Sequence, residues 1–262
     1  MRFTKMEGLG NDYIYLNCLE EEPPKLPELA VQLSDRHFGV GADGLICIKP
    51  GRTSDFTMEM YNADGSRGAM CGNGIRCLAK YVYDKRLTRK TCLTIDTDAG
   101  SRGLELLLLA GKVDQVTVDM GNAIVAPEIF LEAEGQTFMV VQVLVGNPHA
   151  VIFCPDPEAV DLECLGPVLE HHPGLRERSN VEFVSVAAED VLAVRVWERG
   201  SGITLACGTG ACACFAAATK RGLCGPKASV RLPGGILTLE RQMERIFMTG
   251  PARTVFEGEV EL

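Results

Sequence analysis

Short runs of β-branched and leucine residues, broken by glycine or charged turns, recur at 104–109, 113–120, 138–145 and 191–196. Such runs predict strands, and their hairpin-length spacing predicts mostly antiparallel pairing. Helical periodicity falls between them. One pattern runs from Pro27 through Leu29, Ala30 and Leu33 toward Gly39, and a second from Glu163 toward Gly174, with proline near one start and glycine past both ends. Two longer patterns follow, one carrying Ile75, Leu78, Ala79 and Val82, the other running from Ala211 to Thr219 ahead of Gly222. The last reads ACACFAAAT and is apolar nearly all round, as a helix enclosed by sheet should be.

These elements occur twice. Cys71-Gly72-Asn73-Gly74 and Cys207-Gly208-Thr209-Gly210 lie 136 positions apart, and the same step carries Asn11 to Asn147 and Met60-Tyr61-Asn62 to Val196-Trp197-Glu198. It also carries Asp43-Gly44-Leu45-Ile46 to Ser179-Asn180-Val181-Glu182. A gapless register of this length signals duplication of a domain, not a solenoid. The expected fold is α/β of the α+β type: two homologous lobes, each a curved, mostly antiparallel sheet wrapped around a central helix. The boundaries expected are 1–112 for the first lobe and 113–252 for the second, with 253–262 crossing back to pair with the first.

Composition narrows the chemistry. The 262 residues carry a net charge of −9, which argues against a nucleic-acid footprint and favours a small-molecule partner. Eleven cysteines, an odd number, with no CxxC pair, point to free thiols and away from a disulfide framework or a structural zinc site. The opening MRFTKMEGLGND lacks the apolar core of a signal peptide, and no run reaches the length of a membrane span. A cytoplasmic protein without membrane contact is expected.

Cys71 and Cys207 each precede a glycine-rich turn that opens a predicted helix. A helix N-terminus offers N–H groups without an intrahelical acceptor and partial positive charge, which bind carboxylate and favour thiolate. The N–H groups of Gly72, Asn73, Gly208 and Thr209 can then hold one anion, and a carboxylate so held has an acidified α-carbon. One thiol can take the α-proton and the other return one on the opposite face. Asn11, Asn62, Asn147 and Asn180, at loop and strand ends, read either as turn residues or as amides that recognise a polar substrate. Glu198 and Arg199 pair an ammonium acceptor with a carboxylate fork, or form a surface ion pair. His149 orients a catalytic group or is a satisfied core histidine. The other nine cysteines read as small hydrophobes, with Cys77, Cys212 and Cys214 on the central helices.

The segments GLGNDY at 8–13, NADGSRGAMCGNGIRC at 62–77, GNPHAV at 146–151, RSNVEFV at 178–184, WERGSG at 197–202 and LACGTGACA at 205–213 resemble diaminopimelate epimerase, in order along essentially the whole chain. The resemblance implies two lobes related by a pseudo-two-fold axis, with the site in the cleft between them. It implies interconversion of LL- and meso-2,6-diaminopimelate, serving lysine and peptidoglycan synthesis, with no pyridoxal phosphate, metal or other cofactor. Cys71 and Cys207 are then acid and base, Gly72, Asn73, Gly208 and Thr209 hold the reacting carboxylate, and Asn11, Asn62, Asn147, Asn180, Glu198 and Arg199 match substrate-binding positions, with His149 in support. The partners expected are an amino-acid substrate and a second copy of the chain in a homodimer, with no nucleic acid.

The chain departs from the usual family pattern at Ile203, where an acidic residue is usual, at Arg67-Gly68, where acidic or polar residues are, and at Gly44, where many members carry glutamine although glycine is also common. A racemase of another amino acid, such as histidine, on the same fold is therefore the first alternative, and a non-enzymatic small-molecule binding protein the second. Gly208-x-Gly210-x-x-Ala213 loosely fits a dinucleotide fingerprint, but no acidic residue lies between Thr219 and Leu239 to meet a ribose.

Overall fold

In the computed structural model, which describes residues 1–175 and 177–261, four helices punctuate the strands: α1 at Leu26–Ser34, α2 at Gly72–Asp84, α3 at Leu162–Glu170 and α4 at Gly208–Lys220. The chain divides into two units, Met1–Val118 with Gly250–Leu262, and Asp119–Thr249. The first division falls six residues beyond the expected Lys112. The strand Lys112–Asn122 is continuous, and its residues 112–118 form a hairpin ladder with Arg102–Leu109 that keeps them in the first unit.

In the first unit the strand Arg2–Gly8 pairs antiparallel with Asn11–Asn17 on one side and with Arg253–Glu259 on the other. Asn11–Asn17 runs parallel to Gly44–Pro50, which pairs antiparallel with Phe56–Asn62. From there a parallel step leads to Cys92–Asp96 and the hairpin beyond it. Side-chain alternation divides the layers. Ile14, Leu16, Leu45 and Cys47 pack against Leu26, Leu29, Ala30 and Leu33 of α1, each such leucine contributing about 1.5–3 kcal/mol by burial. Tyr15 faces the other way, and its hydroxyl donates to the Gly74 carbonyl of α2 at 2.9 Å. α2 buries Ile75, Leu78, Ala79 and Val82 and touches strands from both ends of the ladder, so the sheet curves around it.

The second unit repeats the order. Ile124–Ala133, Gln136–Val145 and Asn147–Phe153 pair in turn antiparallel, then Asn147–Phe153 runs parallel to Asn180–Ala188, which pairs antiparallel with Val191–Glu198. The 136-residue step holds in the ladders themselves: Tyr13 opposes Gly44 and His149 opposes Asn180, while Tyr61 opposes both Leu45 and Arg67 just as Trp197 opposes Val181 and Ile203. Leu162, Leu165 and Leu169 of α3 cover Ile152, Val181 and Phe183. Gly166 is required there, since a β-carbon would lie 2.4 Å from the Trp197 ring.

Both central helices end alike. Leu87 N–H reaches the Val82 carbonyl and Leu223 N–H the Ala218 carbonyl, each at 2.9 Å, around a left-handed residue that is Arg86 (φ 63°) in the first and Gly222 (φ 69°) in the second. No disulfide joins any of the eleven cysteines. Cys77, Cys212 and Cys214 are core residues as expected, whereas Cys92 and Cys164 are exposed and do not serve as small hydrophobes. Among the described residues no helix is long and apolar enough to cross a membrane.

Candidate active site

Cys71 and Cys207 are the N-caps of α2 and α4. Each has extended backbone (φ −128°, ψ 121° and φ −112°, ψ 111°), and each sulfur accepts the N–H of the residue three positions on, Gly74 or Gly210, at 3.3 Å. A serine-like cap is thus made by a thiol, which turns the sulfur toward the positive end of the helix. Gly72 and Asn73, like Gly208 and Thr209, fall in the first turn, where N–H groups point out along the axis.

In the first unit the structure gathers Cys71, Asn11 and Asn73. The Cys71 thiol donates to Asn11 Oδ1 at 3.1 Å, and Asn73 Nδ2 donates to the same oxygen at 3.4 Å. Asn11 is fixed from behind, its Nδ2 donating to Asp43 Oδ2 at 2.8 Å. Asn73 is fixed by Arg76, fully buried in α2, which donates to Asn73 Oδ1 at 2.9 Å, to the Gly72 carbonyl and to the Pro251 carbonyl. Burial, together with the neighbouring Cys71 and Asp43, pushes the Tyr13 phenol well above its ordinary pKa. Asn62, the ladder partner of Gly44, donates to Ser66 Oγ at 3.0 Å.

In the second unit His149 is buried, with Nδ1 at 2.6 Å from Glu182 Oε1 and Nε2 at 3.0 Å from Asn147 Oδ1. Asn180 accepts the Arg199 backbone N–H at 2.8 Å and donates to the Pro148 carbonyl, so it shapes the strand end that carries Arg199. The Arg199 guanidinium reaches the Arg178 carbonyl. Glu198 does not pair with Arg199; its Oε1 accepts the Thr204 hydroxyl at 2.5 Å, and burial raises its carboxyl above the usual range. Burial also pushes the Cys207 thiol up, Glu198 and Glu182 add to this, and hydrogen bonds from Thr209 and the Gly210 N–H offset part of it.

Asp43, Arg76, Glu182 and Thr204 were not among the residues singled out from sequence. Glu182 had a readable signal, a carboxylate inside the apolar run Asn180–Val186, where it must find a partner. Asp43 and Thr204 had none, because turn residues of these types are common on any surface. Arg67 and Ile203 occupy equivalent ladder positions. Arg67 is tied to Asp98 and Glu59, and Ile203 is exposed.

The profile of the family described as diaminopimelate epimerase matches residues 3–126 and 141–255. A diaminopimelate epimerase of Acetivibrio thermocellus is 49% identical over 277 aligned positions that take in 100% of this chain and 99% of that protein. One of Methanococcus maripaludis is 45% identical, with 100% of both chains covered. Among solved structures, a probable proline racemase from Agrobacterium radiobacter K84 superposes with a TM-score of 0.78 at 15% identity, over 100% of this chain and 93% of that one. A phenazine biosynthesis protein from Bacillus anthracis does so with a TM-score of 0.76 at 15% identity, over 100% and 99%. At such identities these two speak for the fold.

Proposed function

The chain belongs to the diaminopimelate epimerase family, and on that premise we propose that it interconverts LL- and meso-2,6-diaminopimelate by inverting one α-carbon with two thiols. The observation that carries the reading is the pair of equivalent N-capping cysteines, Cys71 and Cys207, each with its sulfur on the N–H of a Gly-x-Gly turn. The family works without pyridoxal phosphate, so the acidity of the α-carbon has to come from the binding site itself.

The reacting carboxylate accepts hydrogen bonds from first-turn N–H groups of Gly72, Asn73, Gly208 and Thr209, which become stronger as enolate-like charge builds on it. One cysteine, as thiolate, takes the α-proton and becomes a thiol. The other, as thiol, gives its proton to the opposite face and becomes a thiolate. Atoms and charge balance, and the two sulfurs exchange protonation states in each turnover. Asn11 steadies Cys71, and Asn62, Asn147, Asn180, Glu198 and Arg199 bind the polar groups of the substrate. His149, held between Asn147 and Glu182, supports the Cys207 side. Lysine and peptidoglycan synthesis in the cytoplasm, by a homodimer, is the setting we assign to the reaction.

The test is incubation of the protein with LL-diaminopimelate in deuterated water without added cofactor. Solvent deuterium should appear at one α-carbon as the meso isomer forms. Retained protium in both isomers rejects the reading. The departures at Arg67, Ile203 and Gly44 favour one second reading, a racemase of another amino acid, and the same incubation over a panel that includes histidine separates the two.

A further inference from the structure

The 136-residue step sets Tyr13 in the first unit where the second has His149. The two hold the same register, Tyr13 opposite Gly44 and His149 opposite Asn180. His149 Nε2 lies 3.0 Å from Asn147 Oδ1, and the buried Tyr13 has its hydroxyl within hydrogen-bonding reach of Asn11, the counterpart of Asn147, and of Cys71. Room for the larger ring comes from across the ladder, where a β-carbon on Gly44 would lie 2.9 Å from Tyr13 Cε1. His149 has the Glu182 carboxylate on its other nitrogen, whereas the position that matches Glu182 is Ile46. The first unit thus carries a phenol, whose O–H needs no tautomer fixed by a carboxylate.

Packing calls for the Tyr13 ring and not for its hydroxyl. Tyr15, two residues on along the same face, already supplies the hydroxyl that holds the turn, donating to the Gly74 carbonyl at 2.9 Å. Cys71, in contrast, needs further donors in one of its two states. As a thiol it donates to Asn11 Oδ1 at 3.1 Å. An amide oxygen only accepts, so once the S–H proton leaves it faces a thiolate with lone pairs on both sides. The thiolate then has as donors the Gly74 N–H, 3.3 Å from Sγ, and the Tyr13 O–H. The groups facing Cys71 are Asn11, Tyr13 and Tyr15 from the strand Asn11–Asn17, with the Gly74 N–H and Cys77 from α2. Those facing Tyr13 are Asn11, Cys71, Tyr15 and Asp43, and burial beside them raises the phenol well above its ordinary pKa, so at neutral pH it keeps its proton.

We propose that Tyr13 is a positioning residue of the first half-site: its hydroxyl donates to the Cys71 sulfur when that sulfur carries the charge, and so steadies the thiolate state through which the proposed inversion passes. This rests on the two-thiol reading above. In the structure Cys71 holds its proton and gives it to Asn11, so Asn11 serves the thiol and Tyr13 the thiolate. The phenol acts through Cys71, transfers no proton, and assigns neither cysteine the part of base.

The experiment removes the hydroxyl alone, as Tyr13→Phe, and follows the pH dependence of Cys71 alkylation by iodoacetamide, read by peptide mass spectrometry on the whole protein. The alkylation midpoint should rise by about one pH unit, the size of one hydrogen bond to a charged group, and kcat for epimerisation should fall by about 10-fold with KM nearly unchanged. Tyr15→Phe, which frees the Gly74 carbonyl, should leave the Cys71 midpoint in place. A folded Tyr13→Phe protein with an unchanged or lower midpoint, or with unchanged kcat, overturns the proposal. An equal rise in Tyr15→Phe does so too, because any lost buried hydroxyl would then suffice. A second measurement needs no variant that must fold: with 3-fluorotyrosine at all five tyrosines the phenol is a stronger donor and the Cys71 midpoint should fall, and a midpoint that stays or rises rejects the proposal. The midpoints involve no substrate, so failure of the epimerase reading appears separately, as absence of deuterium at the α-carbon while the midpoints shift as expected.

Discussion

The Cys71 thiol donates to Asn11 Oδ1 at 3.1 Å, and Asn11 is itself anchored through its Nδ2 to Asp43 at 2.8 Å. The sulfur that meets a carbon-bound proton in the proposed reaction is thereby held by a chain of two side chains. Asn11→Ala should lower kcat/KM for epimerisation by about 100-fold, the scale of a misplacement near 1 Å, with the thermal midpoint little changed. Activity near the wild-type level would remove Asn11 from the positioning of this thiol.

Replacing either thiol separates chemistry from capping. Cys71→Ser and Cys207→Ser keep an N-cap oxygen but lose an acidic S–H, so both should lower turnover by about 1000-fold while keeping stability. Cys71→Ala and Cys207→Ala should abolish turnover and also lose about 1 kcal/mol of stability, because Gly74 N–H and Gly210 N–H lose their acceptor. Turnover assays and urea unfolding read the two effects independently.

Arg86 occupies with φ 63° the helix-end position that Gly222 fills with φ 69° in the second unit. The left-handed region costs a residue with a β-carbon about 1 kcal/mol and glycine little. Arg86→Gly should therefore raise the unfolding free energy by up to about 1 kcal/mol in chemical denaturation, and a loss of stability would show that the side chain makes up for its strained backbone.

Gly44 opposes Asn62 in the ladder between Gly44–Pro50 and Phe56–Asn62. A β-carbon there would lie 2.1 Å from the Tyr61 carbonyl oxygen and 2.9 Å from Tyr13 Cε1. Gly44→Ala must displace backbone of the neighbouring strand and should cost about 1–3 kcal/mol, measured as a lower denaturant midpoint.

Glu170, buried at the end of α3, accepts the Trp197 indole N–H at 2.7 Å and hydrogen bonds from Arg178. Burial alone would raise its pKa, but these two donors outweigh it and hold the carboxyl below its usual value. A depressed acid stabilises the fold above its unfolded pKa of about 4.3, and that contribution is lost as pH falls through the folded value. Glu170→Gln should be less stable than wild type at neutral pH, with the gap narrowing below about pH 4. A gap independent of pH would assign the effect to packing.

The amino-acid pattern by itself determined the duplication, the four helices, the mostly antiparallel strands and the two capping cysteines, because periodicity, Gly-x-Gly turns and a constant 136-residue step are local or linear properties of a chain. Tertiary structure alone decided which groups stand behind each sulfur. Asp43 reaches Asn11 across 32 positions from the residue just before a strand, and Glu182 reaches His149 across 33 from within one, each time onto an adjoining parallel strand whose register no local pattern specifies. Burial strengthens the second of these contacts, since Glu182 and His149 lie out of water, where charges are screened less than at the surface.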